Sequence, residues 1–355
     1  MTSVFQQRQT LGWTSGYQQR TQQTELDNIA RVIAVDRDSL LLADGAEHFR
    51  ARVSGSYRYH HAHSHEAPCV GDWVICERGR HDGIALVTEC LPRRTHLQRK
   101  AAGEAIEVQM IAANADIVVV VQSCHLDFNL HRLERYLVMI AEGGCEPLIL
   151  LTKTDLVSAD DVAQVVDTIR QAGIRCPIQT ISNLTGDGLN DFVAQLLPGS
   201  TYCFVGSSGV GKSSLTNHLL GRSMQSTQDV SGTGEGRHTT VRRELFVLDN
   251  GALIIDNPGM REFGLLGAEA GLEQRFSEVL DGAGECRFRD CTHNNEPGCA
   301  VRAALQQAGT EEQFDHYRKL QNETDFNDLN YAQRRQKDRD FGRFLKDVKK
   351  NMRKK

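Results

Sequence analysis

At 355 residues, with 25% charged residues and a formal net charge of −5, the chain is long enough for two or three domains, each with its own core. No apolar run approaches the roughly 20 residues needed to span a bilayer, and the polar, Gln-rich start MTSVFQQRQTLGWTSGYQQRTQQ has no apolar signal core. These features exclude a membrane protein and lead to the expectation of a cytoplasmic one, with a disordered tail over residues 1–27.

Residues 28–91 alternate short apolar stretches with turn residues: IARVIAVDRDSLLLADG, HFRARVSG, VGDWVICE and DGIALVTECL. This pattern predicts about five short strands closed as a Greek-key barrel of the OB type, assigned to residues 28–100. Within it, YRYHHAHSHEAP carries His60, His61, His63 and His65, which read either as an exposed loop facing nucleic acid or as a metal site. Seven cysteines (Cys69, Cys76, Cys90, Cys124, Cys145, Cys176 and Cys203) stand singly, several in apolar runs, as reduced core residues do.

From Asp116 the period changes to continuous apolar runs, DIVVVV, PLILLT, IQTIS, TYCFVG, ELFVLD and ALIIDNPG, the first four separated by helix-like segments. Strands buried on both faces of a parallel sheet read this way. The expectation for residues 101–266 is a doubly wound α/β domain.

The strand TYCFVG runs into GSSGVGKSS, from Gly206 through Ser207, Ser208, Gly209, Val210, Gly211, Lys212 and Ser213 to Ser214. This is a phosphate loop: glycines let successive N–H groups face the β-phosphate, the lysine reaches the β and γ oxygens, and the Ser213 hydroxyl can ligate Mg²⁺. Base choice is read from Thr152, Lys153, Thr154 and Asp155 at the end of PLILLT. The Asp carboxylate can take both N–H donors of the guanine edge, and the Lys stem can cover the ring; adenine offers no such donor pair. GTPases usually carry Asn where Thr152 stands, so the amide tie from the base loop to the phosphate loop is expected to be lost, with selectivity kept and affinity lowered. Ser182 and Asn183 fall where a second loop closes over the base. Thr239 and Thr240 are candidate switch residues for Mg²⁺ and γ-phosphate, Asp256 the outer-sphere Mg²⁺ carboxylate, and Gly259 the γ-phosphate sensor. Met260 follows Gly259 and cannot orient water, so slow intrinsic hydrolysis is expected, with His238 the candidate catalytic substitute.

Base motif, closing loop, phosphate loop and switch strands therefore occur in that order, which is the ordinary GTPase order cut between its third and fourth strands. The domain reads as circularly permuted. Two rival readings are a phosphate-loop kinase or ATPase, which has no use for Asp155, and a zinc-dependent RNA-binding module with a vestigial nucleotide site, against which Lys212, Ser213 and Asp256 argue.

Residues 267–355 hold CRFRDCTHNNEPGC, in which Cys286, Cys291, His293 and Cys299 form a closed set for one structural Zn²⁺. A basic end follows, with eleven Lys or Arg against three Asp over residues 331–355, and RRTHLQRK at 93–100 is a second basic patch. Together they point to a polyanionic partner.

From about residue 28 onward this combination of barrel, permuted GTPase motifs (GSSGVGKSS, GRHTT, DNPG), C-x₄-C-x-H-x₅-C cluster and basic tail resembles the ribosome small-subunit-dependent GTPase A (RsgA) family. The resemblance implies a monomeric bacterial cytoplasmic GTPase that binds rRNA, acts late in maturation of the small ribosomal subunit and is stimulated by that subunit. It also implies GTP at residues 152–155 and 206–214 and zinc at the four Cys/His ligands.

Overall fold

The computed structural model describes residues 4–18, 28–61, 65–78, 83–100, 108–125, 127–221, 242–257, 267–280, 282–289, 291, 293, 296–308 and 311–328. The chain divides into two compact units, Met1–Gln98 with Met110–Glu262, and Arg99–Gln109 with Phe263–Lys355.

The first unit opens with two short helices, α1 (Val4–Gln9) and α2 (Ser15–Gln18). Where a disordered tail was expected, Leu11, Trp13 and Tyr17 are buried, with Trp13 edge-on to Trp73 at 4.7 Å and stacked on Tyr17 at 5.0 Å. The polar composition concealed three apolar anchors, whose combined burial offsets part of the cost of ordering the segment.

The barrel strands are β1 (Ile29–Val35), β2 (Leu40–Ala43), β3 (His48–Val53), β4 (Trp73–Glu77) and β5 (Ala85–Cys90). They pair in the order β1-β2-β3-β5-β4, and β1 also pairs with β4, which closes the barrel. Ala30, Val32, Leu42, Ala51, Val74 and Val87 fill it, which is why the chain alternates apolar and polar residues there. Part of the His-rich stretch is helical: α3 (Gly55–His60) is capped by Ser54, and Tyr57 stacks on His61 at 4.1 Å. His63 lies outside the described residues.

A separate ribbon pairs β6 (His96–Lys100) with β7 (Val108–Ala113), neither expected from the apolar pattern. The parallel strands follow, with their helices: β8 (Ile117–Ser123), α4 (Leu130–Glu142), β9 (Glu146–Thr152), α5 (Ala159–Gln171), β10 (Ile178–Thr180), α6 (Leu189–Ala194), β11 (Thr201–Val205) and α7 (Lys212–Leu219). β12 (Glu244–Val247) and β13 (Leu253–Asp256) complete the sheet in the order β10-β9-β8-β11-β13-β12. All neighbours are parallel except β12, which runs antiparallel to β13. The phosphate-loop strand β11 lies between β8 and β13 with all five residues buried, as its unbroken apolar run requires.

One buried cation ties the unit together. Arg31 on β1 donates to the carbonyls of Gly71, Leu11 and Asn114 and to Thr201 Oγ1 at the start of β11, and its guanidinium faces the Trp73 ring. Burial pulls its pKa down to about 10, and it remains charged at neutral pH.

The second unit holds α8 (Glu269–Arg275), α9 (Ser277–Leu280), α10 (Ala300–Ala308) and α11 (Glu311–Asp328). Its core gathers Leu272, Phe276, Val301, Phe314, Tyr317 and Leu320, with Phe276 edge-on to Tyr317 at 5.5 Å. The basic tail at 331–355 lies outside the described residues. Among the described residues no helix is long and apolar enough to cross a membrane.

Candidate functional site

β11 ends at Val205, and at Gly206 the chain turns in a way only glycine allows. Gly206 has φ +146°, and a Cβ on it would lie 2.2 Å from the Val121 carbonyl oxygen. Gly209 and Gly211 also have positive φ, at +81° and +97°, while Val210 between them is buried in the core beneath the loop. The loop delivers Lys212 to the first turn of α7, followed by the exposed Ser213 and the partly buried Ser214. Lys212 Nζ donates to the carbonyls of Gly206 at 2.7 Å and Ser207 at 2.5 Å, closing the loop into a ring around the ammonium. Burial lowers the Lys212 pKa to about 8, against the nearby Asp256 carboxylate, which raises it.

The base-side residues stand at the ends of β9 and β10. Thr152 is the buried last residue of β9, and Lys153 at φ 60° turns the chain into a 3-10 turn, Thr154–Leu156. Asp155 is exposed on that turn, and its Oδ1 accepts from Ser182 Oγ at 2.5 Å. Ser182 Oγ in turn accepts from the N–H groups of Leu184 and Thr185 at 3.2 and 3.0 Å, so this hydroxyl both shapes the second loop and orients the carboxylate.

The tie that Thr152 was expected to lose is present. Its hydroxyl donates to the Val210 carbonyl of the phosphate loop at 2.7 Å. A hydroxyl on a fully buried strand end lies close enough to do what a longer amide does elsewhere. A second tie comes from Asn183, whose Nδ2 lies 3.2 Å from the Gly211 carbonyl oxygen.

Asp256 ends β13 beside β11, and Asn257 after it is buried, donating to Cys203 Sγ at 3.0 Å. The candidates at Gly206–Ser214, Thr152–Asp155, Ser182 and Asp256 thus gather at the carboxyl ends of four strands of one sheet, where open α/β sheets bind ligands. His238, Thr239, Thr240, Gly259 and Met260 lie outside the described residues.

The second unit brings Cys286, Cys291, His293 and Cys299 together, with their ligand atoms all within 4.8 Å of one another. His293 Nδ1 is 3.5 Å from Cys286 Sγ and 3.4 Å from Cys299 Sγ, and those two sulfurs are 4.0 Å apart. Bond lengths of about 2.3 Å to sulfur and about 2.0 Å to nitrogen in a tetrahedron give edges of roughly 3.5–3.8 Å, so the donor set fits zinc. Backbone N–H groups, Val301 first and Ala300 as well, pull the Cys286 thiol pKa down, as a thiolate ligand needs.

Several cations of the basic patch at 93–100 have partners within the fold. Arg93 grips the fully buried Asp72 with two bonds of 2.8 Å, and Arg94 pairs with Asp116 and covers the Tyr17 ring. Arg99 is bonded to Gln109. The charge count registers these cations but not the acids they fold against.

A family model described as RsgA GTPase matches residues 90–266. "Small ribosomal subunit biogenesis GTPase RsgA 2" of Vibrio parahaemolyticus is 39% identical over 97% of this chain and 93% of its own. The chain belongs to the RsgA GTPase family. This bears out the resemblance carried by the motifs and makes the chain a GTP hydrolase. The RsgA of Methanosarcina acetivorans, also named a small ribosomal subunit biogenesis GTPase, is 47% identical over 73% of this chain and 70% of its own. Two solved structures share the fold. YjeQ from Thermotoga maritima has a TM-score of 0.60 at 23% identity, covering 82% of this chain and 96% of that one. YloQ, described as a circularly permuted GTPase, has 0.59 at 24%, covering 85% and 96%. Barrel, permuted sheet and C-terminal Cys/His unit are thereby the architecture expected from the sequence.

Proposed function

We propose that this RsgA-family GTPase binds the small ribosomal subunit late in its maturation, hydrolyses GTP to GDP and phosphate there, and is stimulated by the subunit. The observation that carries the reading is the convergence of the phosphate loop, the Asp155–Ser182 pair and Asp256 at the carboxyl ends of the strands of one sheet, in a chain similar over nearly its whole length to proteins named for small-subunit biogenesis.

In this reading Asp155, held by Ser182, accepts the two N–H donors of guanine, and the stem of Lys153 covers the ring. The N–H groups of Gly206–Gly211 and the Lys212 ammonium cradle the β- and γ-phosphates. To reach the phosphates, Lys212 exchanges its bonds to the Gly206 and Ser207 carbonyls for phosphate oxygens. The Ser213 hydroxyl and Asp256 would hold Mg²⁺, which would supply positive charge against the phosphates. Thr239, Thr240 and Gly259 contact the γ-phosphate side, and His238 orients the attacking water in place of Met260. The zinc ligands order the C-terminal unit, and the domain division at residues 28–100, 101–266 and 267–355 assigns RNA contact to the first and last parts.

The barrel supports an rRNA role with an open groove lined by Arg37, Arg58, Tyr57 and His61, alongside Asp36 and Asp38. The protein acts as a monomer in the cytoplasm, where its partner is assembled. The deciding experiment is steady-state hydrolysis of GTP and ATP by wild type and Lys212→Ala, with and without small subunits. Slow GTP turnover that rises strongly with subunits, with none in the variant, is expected. Turnover indifferent to subunits would refute the partner.

A further inference from the structure

Two base-side side chains reach adjacent carbonyls of the phosphate loop. Thr152, at the end of β9, holds Val210, and Asn183, after β10, holds Gly211. Gly211 is the residue that caps α7, and its carbonyl also accepts the Leu215 N–H of the first helical turn at 3.0 Å. The Asn183 amide therefore reaches the point where the phosphate loop becomes helix. The approach is close: a Cβ on Gly211 would lie 2.7 Å from Asn183 Nδ2.

Neither tie makes the other unnecessary. Thr152 has a single hydroxyl proton to give, facing Val210 O at 2.7 Å and Gln122 O at 3.2 Å. It can hold one carbonyl at a time. Asn183 contributes an N–H from the opposite base loop, while its own Oδ1 is buried without a partner. Most buried side-chain oxygens are paired, and an asparagine that served only the fold would be expected to follow that rule.

We propose that Asn183 is a positioning residue of the GTPase reaction: a latch that, with Thr152, fixes the phosphate loop to both guanine-side loops so that base and phosphate subsites open together. The proposal rests on the reading that guanine nucleotide lies across these loops. Asn183 acts through Gly211 rather than on the reacting atoms. Its loss is felt in how long nucleotide stays, not in the chemical step.

The test is release of a fluorescent GDP from the purified full-length protein, chased with excess GDP, in wild type, Asn183→Ala, Asn183→Asp and Asn183→Ala with Thr152→Val. One neutral hydrogen bond corresponds to about three- to tenfold faster release in Asn183→Ala. The melting temperature without nucleotide should stay unchanged. Asn183→Asp keeps the shape but faces the Gly211 carbonyl with an acceptor, so it should release at least as fast as the alanine variant. The double variant should release faster than either single variant, because both ties to the phosphate loop are then gone. Unchanged release in Asn183→Ala, or an aspartate variant that behaves as wild type, would overturn the latch. A melting temperature that falls in step with release would also overturn it, by assigning Asn183 a structural role. Wild type that retains no GDP would instead overturn the nucleotide reading, and the latch with it.

Discussion

Raising the pH from 7 to 9 is expected to weaken guanine nucleotide binding through Lys212. Its ammonium is half-buried behind the phosphate loop, and burial brings its pKa to about 8. Phosphate oxygens stabilise the charged form, so binding raises that pKa, and the attraction is complete below about pH 8 and fades as pH rises through it. With a pKa of about 8 the charged fraction falls from about ten in eleven at pH 7 to about one in eleven at pH 9. Affinity therefore drops by up to about tenfold, less where solvent screens the group. The assay is titration with fluorescent GDP at half-unit pH steps in constant salt. Lys212→Arg is the control, because a guanidinium stays charged throughout. Guanine's own imino group also ionises toward the top of this range and weakens binding in both proteins, so the difference between the two curves is the readout. Identical pH dependence in wild type and Lys212→Arg would refute the argument, by showing that the lysine does not titrate on the path to binding.

Other consequences are equally open to measurement. Asp155→Asn replaces an acceptor with a donor facing the guanine N–H groups and should abolish the preference for GTP over ITP and ATP in competition binding; a retained preference would remove Asp155 from base recognition. Gly206→Ala would place a methyl 2.2 Å from the Val121 carbonyl oxygen, so the variant should lose nucleotide binding and unfold at markedly lower urea than wild type. Arg31→Met leaves the Leu11 and Asn114 carbonyls without their buried donor, while the Gly71 carbonyl keeps its bond from Asn114 Nδ2; at about 1–3 kcal/mol for each unpaired group, a loss of about 2–6 kcal/mol is expected in urea unfolding. Cys286→Ser should take the zinc content from one per chain toward none and speed amide exchange in α10 and α11, while leaving GDP binding by the first unit in place.

The parts of the site legible in the sequence are those whose chemistry demands contiguous residues. A phosphate loop needs its glycines, lysine and serine in one run, and a guanine-reading carboxylate needs a strand end, so Gly206–Ser213 and Thr152–Asp155 stand out in the chain itself. What escaped the sequence depends on pairings between distant positions. Thr152 read as a lost tie because the 2.7 Å approach of Val210 O, 58 residues away, is set by the folded sheet, in which β8 separates β9 from β11. Arg93 and Arg94 read as a basic surface because Asp72 and Asp116 are partners by folding and not by sequence proximity. The Gln-rich start read as disordered because Leu11, Trp13 and Tyr17 are outnumbered by polar neighbours, although burial depends on what each residue meets and not on the average.

The permutation changes what the phosphate-sensing side of the sheet is attached to. β12 is an edge strand of the GTPase sheet by its pairing with β13, yet it also pairs with β1 of the barrel at Ala34 and Glu244, so one sheet of eleven strands runs from β10 to the barrel. Arg242, two residues before β12, lies 3.3 Å from Asp36 in the turn after β1, and Arg243 donates to the Met110 carbonyl at 2.7 Å. Arg31 then ties β1 to the start of the phosphate-loop strand through Thr201. A shift of β12 therefore strains its contacts with the barrel as well as its pairing with β13, and a closed barrel resists it. In a chain whose barrel is read as the rRNA-facing part, that is a physical route by which a large partner gripping the barrel alters the position of β12 and with it the cost of the GTPase switch. Asp36→Ala, which removes the carboxylate facing Arg242 without touching the nucleotide loops, should lower subunit-stimulated hydrolysis and leave the unstimulated rate alone. Equal loss of both rates would place Asp36 in the fold and not in the coupling.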